Sequence, residues 1–201
     1  MGRPRTFDED SVLDAAAGEF RRRGFADTST EELCEATGMG RGSLYNAFVS
    51  KDELFRRALD RFIAETYAAS AAIMEAEDSL AFRRFEVLLD RVIQEEVDAA
   101  ASGGAAGCMV VGTLLAPDLR ARDSHVAESI ARDVNMRRRL LARAASQGHV
   151  DGSISTDVTP NDAAWLVIGL INGIRVNAQA GASGRELAAS ARLGLRALSV
   201  G

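Results

Sequence analysis

The stretch that decides the fold is "TSTEELCEATGMGRGSLYNAFVSKDELF", residues 28–55. It contains two short helical patterns, TEELCEA and RGSLYNAF, separated by a turn rich in glycine. Two short helices joined by a tight glycine-containing turn are typical of a helix-turn-helix. Capping signals mark the helix starts: Ser29 or Thr28 precedes an acidic pair, and Ser50 is followed by Glu53 three residues later. We therefore expect helices to begin near residues 30, 41 and 51.

A third helix precedes this pair and completes a small core. The segment "DEDSVLDAAAGEFRRRGF" has apolar residues at helical spacing, acids at its start and arginines at its end, which suits the helix dipole. Gly24 is a natural stop for this helix. The apolar residues predicted to share the core are Val12, Phe20, Leu33, Leu44, Phe48 and Leu54.

The polar residues left on the outside of the second short helix are suited to DNA. In a helix-turn-helix this second helix enters the major groove, where Arg41 can bind guanine and Asn46 can bind adenine. Gly42 allows the backbone to approach closely, and hydroxyl groups and cations nearby can bind phosphates. The arginines of the N-terminal arm can follow the backbone or enter the minor groove. The predicted DNA-binding residues are Arg3, Arg5, Ser29, Thr30, Arg41, Gly42, Ser43, Tyr45, Asn46 and Lys51.

The net charge counts against non-specific binding to nucleic acid. The 201-residue chain has a net charge of −5, and residues 1–60 contain nine basic and twelve acidic residues, a balance of −3. Lys51 is the only lysine. DNA binding must therefore depend on a few well-placed contacts rather than on bulk charge.

The remaining sequence predicts helices throughout. Glycine and proline residues divide it into helical blocks, and no segment alternates with the period of a strand. We predict an all-α fold of about nine helices, with a long helix over 51–74 and one continuous helix over 118–147. The expected domains are a helix-turn-helix head at 1–50 and a helical ligand-binding and dimerisation domain at 51–201.

The segment "FRRRGFADTSTEELCEATGMGRGSLYNAFVSKDELF", residues 20–55, closely resembles the TetR/AcrR family of transcriptional regulators. The family lead-in matches Gly24-Phe25 and 28–30, the recognition-helix pattern matches Gly38–Phe48, and the start of the fourth helix matches Ser50–Leu54. A mild departure is Leu33-Cys34, where the family often has isoleucine or valine. Two further segments, GCMVVGT at 107–113 and the region 161–198, look like the sixth helix and the closing helices of many members.

This resemblance implies a homodimeric repressor that a small molecule releases from a palindromic operator by moving the fourth helix. It also implies that the last two helices form the dimer interface, with Leu166, Gly169, Leu170, Gly173, Ala188, Ala191 and Leu195 as candidates. Apolar helix faces in the body can line a ligand cavity, and the candidates are Phe62, Phe85, Leu89, Met109, Val110, Thr113 and Trp165. The sequence leaves open whether Trp165 and Asn172 serve the cavity or the interface. The few aromatics and the apparent lack of inward charges favour an apolar or mixed ligand.

Other function classes remain as alternatives. No nucleophile, phosphate-binding or dinucleotide-binding motif is present, so we expect no catalysis, no cofactor and no metal site. A helical interaction module with a degenerate DNA head is a second possibility. A redox or electrophile sensor based on Cys108 is a third, although a packed thiol is favoured for both cysteines. The N-terminus lacks the pattern of a signal peptide, no apolar run reaches the length of a membrane span, and we expect a cytoplasmic protein without a membrane partner.

Overall fold

The computed structural model describes residues 8–101, 103 and 107–200. Within these residues it contains ten α-helices, a short C-terminal 3-10 turn and no β-strand. The helices are α1 (Glu9–Asp27), α2 (Thr30–Thr37), α3 (Arg41–Phe48), α4 (Lys51–Met74), α5 (Ala81–Ala101), α6 (Met109–Leu114), α7 (Pro117–Arg122), α8 (Ser124–Asp151), α9 (Pro160–Gln179) and α10 (Gly184–Leu195). The predicted all-α class and the predicted range of α4 are confirmed.

The helix predicted over 118–147 is two helices in the structure, which explains why there are ten rather than about nine. The break falls at Asp123, whose backbone is extended and whose side chain accepts a hydrogen bond from the Val126 N–H at 3.2 Å. Asp123 thus caps α8, while Pro117 occupies the first turn of α7, where its missing N–H costs nothing. Two start signals within the segment predicted as one helix therefore produce two helices.

The head forms from local signals that the sequence contains. Ser29 and Glu32 make the reciprocal capping box of α2, and Ser50 accepts a hydrogen bond from the Glu53 N–H at the start of α4. Gly24 adopts φ 78° and interrupts α1 near its end, so the glycine breaks the helix as predicted. Between α3 and α4, Val49 has φ 62° and ψ −46°, an uncommon backbone conformation for a β-branched residue.

The core consists of two hydrophobic clusters. The first joins α1, α2, α3 and the beginning of α4, and it contains all six residues of the predicted core. It continues into the body through Met109, Leu119 and Ile130, so the head rests on α6, α7 and α8 rather than hanging free. The second cluster is formed by α5, α8, α9, α10 and the end of α4. In the described residues, no helix is both long and apolar enough to cross a membrane.

Candidate nucleic-acid interface and effector cavity

The helix predicted to enter the major groove, α3, has a buried face and an exposed polar face. Leu44 and Phe48 are 3% and 1% exposed and fix the helix to the head core. Arg41, Gly42, Ser43 and Asn46 are exposed on the other side. Because α3 is only 8 residues long, those two apolar anchors determine which residues point outward.

Tyr45 lies at the edge of this exposed face and is held by its neighbours. Its hydroxyl group is 2.9 Å from the Thr30 hydroxyl at the start of α2. The Arg41 guanidinium lies over the Tyr45 ring, 5.8 Å from its centroid, and forms an ion pair with Glu31 at 3.3 Å. Both side chains of that ion pair are well exposed, so the pair contributes little to stability and can be exchanged for a phosphate or a base.

The start of α2 presents the other polar groups of this surface. The Ser29 N–H donates to the Glu32 carboxylate at 2.8 Å, and the Glu32 N–H donates to the Ser29 hydroxyl. These hydrogen bonds from Ser29 lower the pKa of Glu32 below its ordinary value. The capping box therefore fixes the N-terminus of α2, whose positive dipole end favours an anion.

Lys51 opens α4 next to the same surface. Its ammonium group is 3.4 Å from the Ala26 carbonyl oxygen and 4.5 Å from the centroid of the Phe25 ring. Partial burial lowers the pKa of Lys51. These contacts hold the cation close to the head instead of leaving it on a freely rotating stem. The remaining two predicted contacts, Arg3 and Arg5, lie outside the described residues.

The body encloses a cavity of about 70 Å³ between α4, α5, α6, α8 and α9. Much of the wall is aliphatic, and polar side chains from several helices reach it as well. The lining residues are Thr66, Ser70, Leu88, Arg91, Val92, Glu95, Cys108, Val110, Val111, Leu114, Asp133, Val134, Arg137, Ile168, Ile171, Asn172 and Arg175. An open groove between α1, α4 and α5 adjoins the cavity, since both are lined by Thr66, Arg91, Glu95 and Arg175.

The predicted lack of inward-facing charges is wrong. Asp133 and Glu96 are each 1% exposed, and Arg175 is 5% exposed. Arg175 donates to Glu95 at 2.5 Å and also pairs with Glu96. Arg137 donates to Asp133 at 2.8 Å. Sequence periodicity missed these pairs because buried charges are stable only when a partner arrives from elsewhere, here mainly from a different helix.

The structure distributes the predicted cavity residues over several places, and only Val110 lines the cavity. Phe85 and Leu89 are fully buried in the body core. Phe62 lines the adjoining groove, whereas Met109 and Thr113 line a separate groove between α1, α6 and α7. Trp165 is 48% exposed on the surface of α9. The reason is that an apolar face identifies a buried position but does not indicate whether the space beside it is filled.

A chain of contacts leads from the cavity to the head. Gly107 donates its N–H to Glu96 at 2.7 Å and accepts a hydrogen bond from the Arg21 Nε at 3.0 Å. Arg21 belongs to α1, and its guanidinium also lies 5.5 Å from the centroid of the Phe62 ring. Burial and the nearby Arg175 cation lower the pKa of Arg21. Gly107 has φ 96°, a left-handed backbone conformation that favours glycine.

Cys108 follows Gly107 and lines the cavity as a free thiol. Burial alone would lower the pKa of Arg175. The pKa is instead raised by nearby negative charge, which a Cys108 thiolate, Glu96 and Glu95 would supply. Cys34 is also a free thiol and packs beside the head core.

The predicted interface residues fall into two groups. Leu166, Gly169, Leu170, Gly173 and Ala188 are partly or fully exposed on α9 and α10. Ala191 and Leu195 are 4% and 3% exposed and belong to the core of their own chain, so this part of the prediction is corrected. The apolar side chains that α9 and α10 leave exposed are Trp165, Val176 and Leu193.

Several cavity residues were missed, yet two left signals in the sequence. Arg175 interrupts the otherwise apolar run of α9, and in the acidic pair Glu95-Glu96 of the amphipathic helix α5, Glu96 falls at the spacing of its apolar face. A cation and a carboxylate at apolar positions of two helices predict a buried ion pair. Among the described residues, no group of three or more His, Cys, Asp or Glu side chains is arranged to hold a metal ion.

The three-helix head and the helical body together identify a helix-turn-helix protein. Comparisons with known proteins identify its family. Residues 12–58 match the profile of the bacterial regulatory proteins, tetR family. The HTH-type transcriptional repressor ComR of Escherichia coli (strain K12) is 30% identical over 189 residues, covering 92% of this chain and 86% of the relative. The repressor BdcR of the same organism is 32% identical over 142 residues, covering 68% and 70% of the two chains.

A solved structure agrees over almost the whole length. The TetR family regulator CifR, as a cysteine mutant complexed with 26 bp double-strand operator DNA, matches with a TM-score of 0.82 and 27% identity. The match covers 98% of this chain and 100% of that chain. The chain belongs to the TetR family of transcriptional regulators. It is a DNA-binding transcriptional regulator, in a family whose members are dimers that bind operator DNA and small-molecule effectors.

Proposed function

We propose that this protein is a dimeric repressor that binds a palindromic operator and leaves it when a small molecule enters the body. The observation that carries the proposal is the exposed polar face of α3, held on the head core by two buried anchors. The repressors ComR and BdcR support the direction of regulation, because their similarity extends beyond the head. Catalysis has no role in this function, and operator DNA requires a cytoplasmic location.

The DNA contacts divide by chemistry into base-reading and phosphate-binding groups. Arg41 and Asn46 read base edges in the major groove, and Gly42 lets the backbone of α3 come close. Phosphates are bound by Ser43, Tyr45 and Lys51, by Ser29 and Thr30 at the start of α2, and by Arg3 and Arg5 of the N-terminal arm. Arg41 exchanges its exposed ion pair with Glu31 for DNA on binding.

The dimer places two such heads at a fixed separation. We assign its interface to the exposed apolar face of α9 and α10, which includes Trp165, Gly169, Val176 and Leu193. Two heads bind two half-sites only when their separation matches the helical repeat of DNA. A small rotation of each head therefore reduces affinity strongly.

The effector acts through the contacts between cavity and head. A molecule in the cavity displaces the segment at Gly107, whose N–H is hydrogen-bonded to Glu96 of the buried Arg175–Glu96 pair. Arg21 then loses the Gly107 carbonyl, and α1 can shift relative to the body. The effector binds the displaced arrangement more tightly than the DNA-binding arrangement. That difference in binding free energy weakens operator binding by the same amount.

Cys108 favours a second candidate within the same framework, release by a thiol-reactive molecule. The thiol lines the cavity and lies close enough to Arg21 and Arg175 to affect the pKa of both. A substituent on its sulfur would occupy the cavity and displace Gly107 in the same way. If Cys108→Ser still responds to the natural effector, this candidate is refuted while the first stands.

The test is a fluorescence-anisotropy titration of the full-length dimer against duplexes taken from the DNA that flanks its own coding region. Arg41→Ala and Asn46→Ala should relax base preference, whereas Tyr45→Ala and Lys51→Ala should weaken binding to all sequences. Arg139→Ala, an exposed change on α8, is the control. Unchanged binding in all four head variants would refute the assignment of the DNA-binding surface.

A further inference from the structure

Most polar groups in the cavity wall already have partners; among the described residues, the Asn172 amide and the Arg175 Nε make no hydrogen bond. The Thr66 hydroxyl donates to the Phe62 carbonyl at 2.7 Å and accepts from Arg137 at 2.7 Å. The Ser70 hydroxyl donates to the Thr66 carbonyl at 2.8 Å. These hydroxyl groups gain little from a ligand, because a ligand could only replace hydrogen bonds that the protein makes itself.

The charged groups of the wall are paired as well. Arg91 donates to Glu95 at 2.9 Å, and Glu95 accepts a second hydrogen bond from Arg175. Arg137 is paired with Asp133 on α8. A charged ligand that bound one member of these pairs would leave the other member buried without a counter-charge, which is strongly unfavourable. The Arg175 Nε is buried without a partner, but its guanidinium already pairs with Glu95 and Glu96, so a ligand carboxylate there would add a third negative charge. The wall therefore selects against a carboxylate or an ammonium group.

Asn172 is the uncharged member of this pair of exceptions. Its side chain lines the cavity, and its amide makes no hydrogen bond to any other described residue. A primary amide offers two donors and an acceptor, so the half-buried Asn172 side chain can hydrogen-bond a molecule that fills the cavity. Its neighbours in the wall, Ile168 and Ile171, are aliphatic. A polar amide beside aliphatic side chains favours a mainly apolar ligand with one polar group.

We propose that the cavity takes a small uncharged molecule, such as a short carbonyl compound, alcohol or amide, and that Asn172 supplies its hydrogen bond. This rests on the effector site of the proposed function and adds the chemical class of the effector. The enclosed volume of about 70 Å³ is roughly half of a cavity that admits benzene, so it holds about three or four non-hydrogen atoms. A longer ligand extends past Arg91 into the adjoining groove.

The test uses four probes of matched size: acetone, acetamide, acetate and isobutene. Each is titrated into the full-length dimer, and methyl resonances of isoleucine and valine are followed by NMR, with Ile168, Ile171 and Val134 as reporters of the cavity. Acetone and acetamide should shift these resonances in the millimolar range, as expected for such small ligands. Acetate should not shift them at the same concentrations.

Asn172→Leu keeps the size of the side chain and removes its hydrogen bonds. It should raise the Kd of acetamide by about tenfold and leave that of isobutene unchanged or lower. The matched control is Asn177→Leu on the exposed side of the same helix, which should change neither value.

Three results would overturn the inference: acetate shifting the reporters as strongly as acetamide, an unchanged acetamide Kd in Asn172→Leu, or no probe shifting the reporters. Operator affinity and dimer formation of Asn172→Leu are measured in parallel. If both are normal while the probe results fail, the ligand class is wrong and the DNA-binding function stands. If the variant no longer dimerises, Asn172 belongs to the interface and the inference is also wrong.

Discussion

Lys51 provides a quantitative prediction, because it is the only lysine and its ammonium group is held against the head. We predict that Lys51→Gln weakens operator binding mostly at low salt. The reason is counterion release: a cation that neutralises a phosphate frees a condensed ion from the DNA, and this gain is largest in dilute salt. Partial burial lowers the pKa of Lys51, but the ordinary value for lysine is so high that the group stays charged near neutral pH.

The magnitude follows from the number of copies in the dimer. Each neutralised phosphate contributes about −0.9 to the slope of log K against log salt concentration, so two copies of Lys51 contribute about −1.8. Across an approximately fourfold change in salt, from about 50 to about 200 mM, this corresponds to a factor of about 12 in affinity. The affinity deficit of Lys51→Gln should therefore shrink by about that factor over this range.

The assay is an anisotropy titration of the operator at several salt concentrations. Lys51→Arg, which keeps the charge, should retain the parent slope, and so should Arg139→Gln on the exposed surface of α8. An unchanged slope in Lys51→Gln would refute the phosphate contact. A slope changed equally in Arg139→Gln would show that overall charge, not position, is responsible.

Three further predictions concern the contacts between head and body and the turn that joins the recognition helix to α4. Asp123→Asn should lower the free energy of unfolding by about 1–3 kcal/mol in urea denaturation, since Asp123 caps α8 and accepts a 2.8 Å hydrogen bond from Arg56. Burial alone would raise the pKa of Asp123, but these hydrogen bonds lower it. The stability that Asp123 contributes is therefore present above its unfolded-state pKa and is lost as the pH falls through its folded-state pKa. Val49→Gly should raise the unfolding free energy by about 1 kcal/mol, because glycine relieves the positive φ of the turn, and a decrease would contradict this. Arg21→Met should weaken operator binding about 3- to 10-fold without disrupting the dimer, since it removes the hydrogen bond to Gly107; an unchanged Kd would show that head position does not depend on this contact.

The head was predictable from sequence because its signals are local. The capping box at Ser29, the glycine that interrupts α1 and the apolar anchors Leu44 and Phe48 all act within a few residues of one another. Which side chains of α3 face outward follows from those anchors alone. The exception is the turn at Val49, where the positive φ is imposed by the packing of α3 against α4 and not by a residue that prefers it.

The cavity was not predictable in the same way because it depends on five helices that are distant in sequence. Apolar periodicity correctly marked Phe85 and Leu89 as buried, but it could not distinguish filled space from empty space. The buried pairs of Arg175 with Glu95 and Glu96 join α9 to α5, and a single sequence gives no distance between those helices. The break at Asp123 has local signals, Pro117 at the start of α7 and the Asp123 cap of α8, which the sequence prediction missed.

The measurement that tests the regulatory function most directly is a hydroxyl-radical footprint of the full-length protein on the DNA upstream of its own coding region. A dimer that reads a palindrome through α3 should protect two symmetrical patches whose centres lie about one helical turn of DNA, or a multiple of it, apart. The protection should disappear in the Tyr45→Ala, Lys51→Ala double variant. A single unsymmetrical patch, or the same protection with the double variant, would contradict operator reading by this helix-turn-helix.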